Sequence, residues 1–442
     1  MSRRRLLGTF DNAQALTTEH HAYNIVTAVR LSGTPDEVRL QTALEHIVRR
    51  HAILRAHVVS GRRKFLDLSE ISTLPLERQD RRDDRTWVGV VERELAVQFD
   101  LRRPPLGRCT LIVAADATAS ELILTFPHAL VDGTAVAQLI TELVSVLAGE
   151  DAQTEKTIEK DLPTSCDELF PSRWQRPRRL PASLNFFGRQ MANEIAYRFK
   201  TRGRHSRPPA GPFRNRILPI ALTREDTSTL VRASRTHRVS LVATLEAAML
   251  IAVVRHCYPG LTLPHRYCAF PLLRQYLEPA VGNDVVGCYI TVLRLAARVS
   301  GDDDLWELAG RIHRDLEQSM RRGERFLASV WSHFSMRTIF SQRSHRMSTT
   351  ALSYTGAMPL PETPGKPEIR EVHAFVSNFP LGPQYTAQAR LFRGRLWLDI
   401  LYLDSDFAEP EARAIADDMR HLLTSRPSTA SDLTRDTGRA NP

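Results

Sequence analysis

The sequence is poor in lysine, cysteine, aromatic residues and long apolar runs, and each shortage excludes something. Only five of its 60 cations are lysine (Lys64, Lys156, Lys160, Lys200 and Lys366); the rest are arginine. A nucleic-acid surface would interleave its cations with aromatics or carry a recognised motif. The clusters at 3–5, Arg62-Arg63, Arg81-Arg82 and Arg321-Arg322 do neither. The skew fits the coding bias of a GC-rich genome, so no nucleic-acid partner is expected, although a net charge of +10 favours phosphate-bearing or acidic partners. The five cysteines (Cys109, Cys166, Cys257, Cys268, Cys288) form no CxxC pair. That argues against a cysteine-built metal site and for reduced, buried thiols. No apolar run reaches the ~20 residues that span a bilayer. The best, Leu241 to Val254, contains Glu246 and reads as a core helix. The first ten residues lack the roughly 7–15 apolar residues of a secretory signal, so a cytoplasmic protein without a membrane span is expected. There is no Walker A loop, GxGxxG, HExxH or GxSxG.

What remains is a soluble globular composition, 42% hydrophobic and 25% charged over 442 residues, with room for two or three domains. Strands and helices alternate. Asn24 to Leu31 reads as a strand, Asp36 to Arg50 as an amphipathic helix, Leu122 to Phe126 as a strand and Thr134 to Leu147 as a strongly amphipathic helix. The pattern weakens between Gly149 and Leu180 and again between Lys200 and Arg216, with one helix, roughly Pro181 to Phe199, in between. From Arg216 it resumes. Thr223 and Ser240 are candidate helix caps. Strands are expected at Tyr267 to Leu273, Cys288 to Leu295, His373 to Phe379, Tyr385 to Phe392 and Arg395 to Tyr402. The division is a first lobe at 1–175, a linker region at 176–215, a second lobe at 216–425 and a disordered tail at 426–442. The fold class is α/β, as two similar lobes.

One stretch could carry chemistry: Leu122 to Thr134, LILTFPHALVDGT. A strand ends at His128, Asp132 follows four residues later, then Gly133 and a helix. A strand-end histidine can project into a cleft, and its ordinary pKa of about 6.5 suits proton transfer near neutrality. Asp132 suits a turn and a helix N-terminus.

In that context the stretch resembles the active-site motif of the HxxxD acyltransferases, the chloramphenicol acetyltransferase-like superfamily. Its members include nonribosomal condensation domains and the polyketide-associated acyltransferases. Further fragments follow in the family's order: Leu40 to Arg55 (LQTALEHIVRRHAILR), Phe99 to Arg108 (FDLRRPPLGR), Ser240-Leu241 opening a helix, Phe270 to Pro279 (FPLLRQYLEP), Val286 to Ile290 (VGCYI) and Gly394 to Tyr402 (GRLWLDILY). The resemblance spans about residues 10–425 and is nearest the condensation-domain and polyketide-associated branch. Where many members have two histidines, this chain has Pro127 before His128. Proline removes an N–H and fixes φ, but the family's base is the second histidine.

The resemblance implies two chloramphenicol-acetyltransferase-like lobes with mixed sheets and an active-site tunnel between them. It implies transfer of an acyl group from a thioester, on coenzyme A or a phosphopantetheinyl carrier protein, to a small-molecule acceptor. The thioester is a co-substrate and no further cofactor is implied. Ester formation in secondary-metabolite or complex-lipid biosynthesis is the first expectation. A stand-alone condensation enzyme forming an amide and a catalytically silent binder of acyl groups or carrier proteins are the alternatives. His128 would be the general base. Asp132 would pair with Arg274 in a structural role, the Gly133 N–H would face the oxyanion, and Asn378 would line the tunnel. With both lobes on one chain a monomer suffices. His20-His21, His51 and the run Asp302 to Asp304 read as structural, with no metal site expected.

Overall fold

The computed structural model describes residues 4–149, 161–175, 177–201, 207–342, 345–358 and 367–425. The tail at 426–442 lies outside them. The first lobe is built on a five-stranded sheet in the order Ile369–Val376, Asn24–Ser32, Ala119–Pro127, Arg108–Val113, Leu76–Asp80. All neighbours are antiparallel except the last pair. Both faces are covered. Ile25, Val29 and Leu31 face the core beneath Glu37–Arg50 and Gly133–Leu147, while Val26 and Ala28 join Trp87, Val90 and Val91 of helix Thr86–Ala96. That double burial explains why Asn24–Ser32 reads as a nearly unbroken apolar run.

The second lobe carries a mixed six-stranded sheet: Leu293–Val299, Leu263–Ala269, Thr350–Ala357, Tyr385–Phe392, Arg395–Leu403, Asn215–Ala221. Its core helix, Leu241–Cys257, is buried continuously from Ala243 to Val254, as an all-round apolar helix must be. It packs against Leu305–Arg321 and Glu409–Thr424. Thr223, Ser240 and Asp304 accept from the first-turn N–H groups of their helices. Asp303 pairs with Arg311, so the acidic run at 302–304 serves a helix end. No single described helix is long and apolar enough to cross a membrane; the pair Arg224–Thr236 and Leu241–Cys257 passes only jointly and is bent by 104°.

The lobes interlock. Strand Ile369–Val376, which lies in the second half of the sequence, completes the sheet of the first half by pairing with Asn24–Ser32. A buried polar group fixes it there. His373 Nδ1 meets Asp399 Oδ1 at 2.7 Å, the Ala374 N–H donates to Asp399 Oδ2 at 2.8 Å, and Arg390 donates both to Asp399 and to the Val372 carbonyl. Burial alone would push the Asp399 carboxyl up, but Arg390 and His373 hold it below its ordinary value. Burial would likewise push the His373 imidazole down, but Asp399 lifts it above 6.5. His373→Phe keeps the ring contacts with Trp87 and Trp397 and removes the donor. The expected cost is about 1–3 kcal/mol in urea unfolding. Because the folded pKa is raised, the difference from wild type is full below about pH 6.5 and shrinks as pH rises through the folded value.

Three expected strands shift, and each shift has a cause. Cys288 to Leu295 is a strand only from Leu293, because the Gly287 carbonyl and Tyr289 N–H are drawn to Arg274 and Asp132 instead of a ladder. Tyr267 to Leu273 ends at Ala269, before Pro271. His373 to Phe379 lies earlier, at Ile369–Val376, since Asn378 onward forms a turn. Two further helices, Thr9–His20 and Glu324–Gln342, pack against each other and have no clear apolar period in the sequence. The region at 176–215 holds the expected helix, at Leu180–Thr201.

Candidate active site

A cavity of about 310 Å³ lies between the lobes. Tyr23, His128 and Gly133 line it from one side, and Leu293, Trp331 and Thr355 from the other. His128 follows directly on strand Ala119–Pro127 and is 5% exposed. Pro127 closes that strand opposite Asn24, and the next N–H, that of His128, donates to the Tyr23 carbonyl at 2.9 Å. The substitution of proline at the motif's first position therefore leaves the backbone at His128 anchored.

The imidazole is oriented on two sides. Its Nδ1–H donates to the Val131 carbonyl at 2.9 Å, three residues along the same turn. That bond fixes the tautomer and leaves Nε2 as the basic atom. The Tyr23 ring stacks on it, with centroids 5.3 Å apart. Burial holds the imidazole below its ordinary 6.5, against smaller opposing pulls from the Val131 carbonyl and Asp132. Burial thus favours the neutral form of an imidazole that lines the cavity.

The Asp132 carboxylate is taken up by partners other than His128. It is fully buried and caps helix Gly133–Leu147 through the Ala135 N–H at 2.8 Å. Arg274 Nη2 reaches both of its oxygens at 3.1 Å, and the Tyr289 N–H donates to Oδ2 at 2.9 Å. Arg274, 2% exposed, also donates to the carbonyls of Gly282, Val285 and Gly287. One aspartate and one arginine thus satisfy loop 282–289 and lock it to the His128 turn across the lobes. Gly133 lets that helix end approach strand Thr350–Ala357: a Cβ there would stand 3.3 Å from Thr355 Cγ2. Its N–H belongs to a first turn without intrahelical acceptors.

Asn378 borders the cavity, but its amide is committed elsewhere. Nδ2 donates to the Pro383 carbonyl and Oδ1 accepts from the Phe379 N–H, so the side chain shapes the turn. His51 meets Glu142 at 2.7 Å, and His20 and His21 stack on Phe340 and Phe379. Among the described residues no group of three or more His, Cys, Asp or Glu is placed to hold a metal. Sequence reasoning missed Tyr23, the Val131 carbonyl and Tyr289. Two of these act through backbone atoms, which leave no residue signature, and Tyr23 is brought to His128 only by strand pairing.

Comparison with known proteins follows this layout. The condensation domain family model matches residues 12–161, and the model for the phthiocerol/phthiodiolone dimycocerosyl transferase C-terminus matches 211–401. A linear gramicidin synthase from Brevibacillus parabrevis is 34% identical over 131 residues, 28% of this chain. The dimodular nonribosomal peptide synthase of Bacillus subtilis (strain 168) is 25% identical over 309 residues, 66% of this chain. The matches span only 2% and 12% of those two synthases. Among solved structures, trichothecene 15-O-acetyltransferase from Fusarium sporotrichioides superposes with a TM-score of 0.74 at 13% identity, covering 95% of both chains. Polyketide synthase associated protein 5 from Mycobacterium tuberculosis gives 0.66 at 19% identity, covering 95% of this chain and 97% of its own. Both share this fold.

Proposed function

We propose that this chain, matched by the condensation domain model over 12–161 and by the phthiocerol/phthiodiolone dimycocerosyl transferase C-terminus model over 211–401, is a member of the chloramphenicol acetyltransferase-like superfamily and transfers an acyl group from a thioester to a hydroxyl. The observation that carries the reading is the tautomer of His128: a buried imidazole, tied at Nδ1 and lining the inter-lobe cavity. As the acceptor oxygen attacks the thioester carbonyl, its proton passes to Nε2. The tetrahedral intermediate collapses with cleavage of the C–S bond, and the proton returns to the departing thiolate. General-base action of this kind contributes about 10²–10⁴-fold, and alignment of two substrates in one cavity contributes beyond it. The Gly133 N–H, at the positive end of its helix, is the proposed donor to the oxyanion. Donors are coenzyme A or carrier-protein thioesters, and the products belong to secondary-metabolite or complex-lipid biosynthesis. The condensation-domain match at residues 12–161 favours one second reading, in which the acceptor is an amine and the product an amide.

The test is thiol release from a panel of acyl-coenzyme A and acyl-carrier thioesters, with and without pooled alcohols and amines. Acceptor-dependent release is expected, with alcohols preferred. The sign of the His128 shift sets the pH profile. Because the folded pKa is lowered, the basic form persists below pH 6.5, so the acid limb of kcat/KM falls below that value and the profile is flat through neutrality. An acid limb well above 6.5 removes neutral His128 as the base. Thioester binding without release identifies a silent member.

A further inference from the structure

Helix Leu180–Thr201 leaves an unusual amount of apolar surface uncovered. Only Ser183, Phe186 and Thr201 of its 22 residues are buried. Leu180, Leu184, Met191, Ile195 and Phe199 are exposed, the last two at 69% and 75%. At 100° per residue these five fall within an arc of about 100°, and they form one stripe about 28 Å long.

Along the chain, charge in and beside this helix is nearly all of one sign. From Phe170 to Arg216 the chain has twelve arginines and lysines and a single acid, Glu194. The Glu194 carboxylate is occupied by Arg198, Arg266 and Arg294. Arg173 and Arg178 are exposed just before the helix, and Arg198 and Lys200 are exposed near its end. Cations therefore bracket the apolar stripe at both ends.

The inner side of the same helix reaches the cavity, where Phe186 and Gln190 form part of the lining. Phe187 stacks on Trp331, another lining residue, with centroids 4.6 Å apart. Phe334, half exposed, meets Phe187 edge-on at 5.8 Å. Apolar side chains thus run from the outer surface to the cavity wall.

We propose that helix Leu180–Thr201 seats the protein on an anionic lipid surface. The apolar stripe enters the boundary between headgroups and acyl chains, and the flanking arginines and lysine engage lipid phosphates. A narrow apolar stripe on an exposed helix, bracketed by cations and with no exposed acid in the helix itself, fits a deformable anionic interface. Docking stands apart from the acyl-transfer reading. Its consequence, that a lipophilic substrate enters the cavity from the bilayer side, rests on that reading.

The experiment is flotation of the full chain with vesicles of phosphatidylcholine plus phosphatidylglycerol, against phosphatidylcholine alone. Wild type is expected to float with the mixed vesicles and to be released by high salt. Ile195→Glu/Phe199→Glu is expected to lower partitioning by about tenfold or more, with an unchanged thermal midpoint because both positions are exposed. Arg178→Glu/Lys200→Glu is expected to lower it as well. Wild type that stays unbound, or variants that bind equally, overturn the proposal. Two other results overturn it in favour of a protein partner: self-association abolished by the same substitutions, or capture of an acidic carrier protein through them without vesicle binding. Thiol release with a water-soluble acceptor, run in parallel, separates the two readings. Flotation without any acyl transfer overturns the catalytic reading and leaves docking standing.

Discussion

His128→Ala is expected to lower acceptor-dependent thiol release by about 10²–10⁴-fold while leaving a cooperatively folded protein. The asymmetry follows from how the side chain is held. Its ring makes one hydrogen bond, to a carbonyl in its own turn, and stacks on one face with Tyr23. The turn itself is secured by other atoms: the His128 N–H on the Tyr23 carbonyl, the Asp132 N–H on the Gly287 carbonyl, and the Asp132 carboxylate. Truncation enlarges a cavity that already exists. The stability cost is therefore that of one hydrogen bond and some packing, about 1–2 kcal/mol. His128→Asn sharpens the test, because its amide can still donate to the Val131 carbonyl but cannot accept a proton. If Asn restores the thermal midpoint and not the rate, the missing function is proton transfer. If either variant retains wild-type release, His128 is not the base.

The layout that supports this reading was only partly legible in the sequence, and the boundary is physical. Strand Asn24–Ser32 and helix Leu241–Cys257 announce themselves because burial on all sides demands continuous apolar residues. Helix Gly133–Leu147 is legible through its apolar period and its Asp132 cap. Helix Glu324–Gln342 is not. It spreads serine, threonine, arginine and aromatics around its circumference, because one side lines the cavity and another packs on Thr9–His20. Loop 282–289 could not be read from periodicity either. Val285 to Ile290 has the apolar content of a strand, but its backbone partners include the side chains of Asp132 and Arg274, which lie 142 residues apart in sequence. The resemblance supplied that pair, and the geometry shows what it does. The strand exchange of Ile369–Val376 had no local signature at all: a half-apolar strand carries no information about which sheet it joins.

Asp132→Ala and Arg274→Ala are each expected to destabilise the protein by about 3–5 kcal/mol, the cost of leaving one buried charge without its partner. In the first variant a guanidinium that is 2% exposed keeps its carbonyl acceptors but loses its counter-charge, and the Ala135 and Tyr289 N–H groups lose their acceptor. In the second, a fully buried carboxylate loses its cation, and the carbonyls of Gly282, Val285 and Gly287 lose a common donor. The double variant is the decisive member of the set. Removing both charges leaves no unpaired ion, so its cost should fall well short of the sum of the singles. Urea unfolding of all four proteins measures that coupling. Arg274→Lys should recover little, since one ammonium cannot span Asp132 and three carbonyls as a planar guanidinium does. Activity should fall with stability in both singles, because the turn that Asp132 anchors also presents the Val131 carbonyl to His128. Wild-type midpoints in both singles would mean that loop 282–289 holds its place without the pair. The coupling of the two lobes would then rest on other contacts, among them the exchanged strand with its Asp399 group, the packing of Thr9–His20 on Glu324–Gln342, and the Glu92–Arg216 pair.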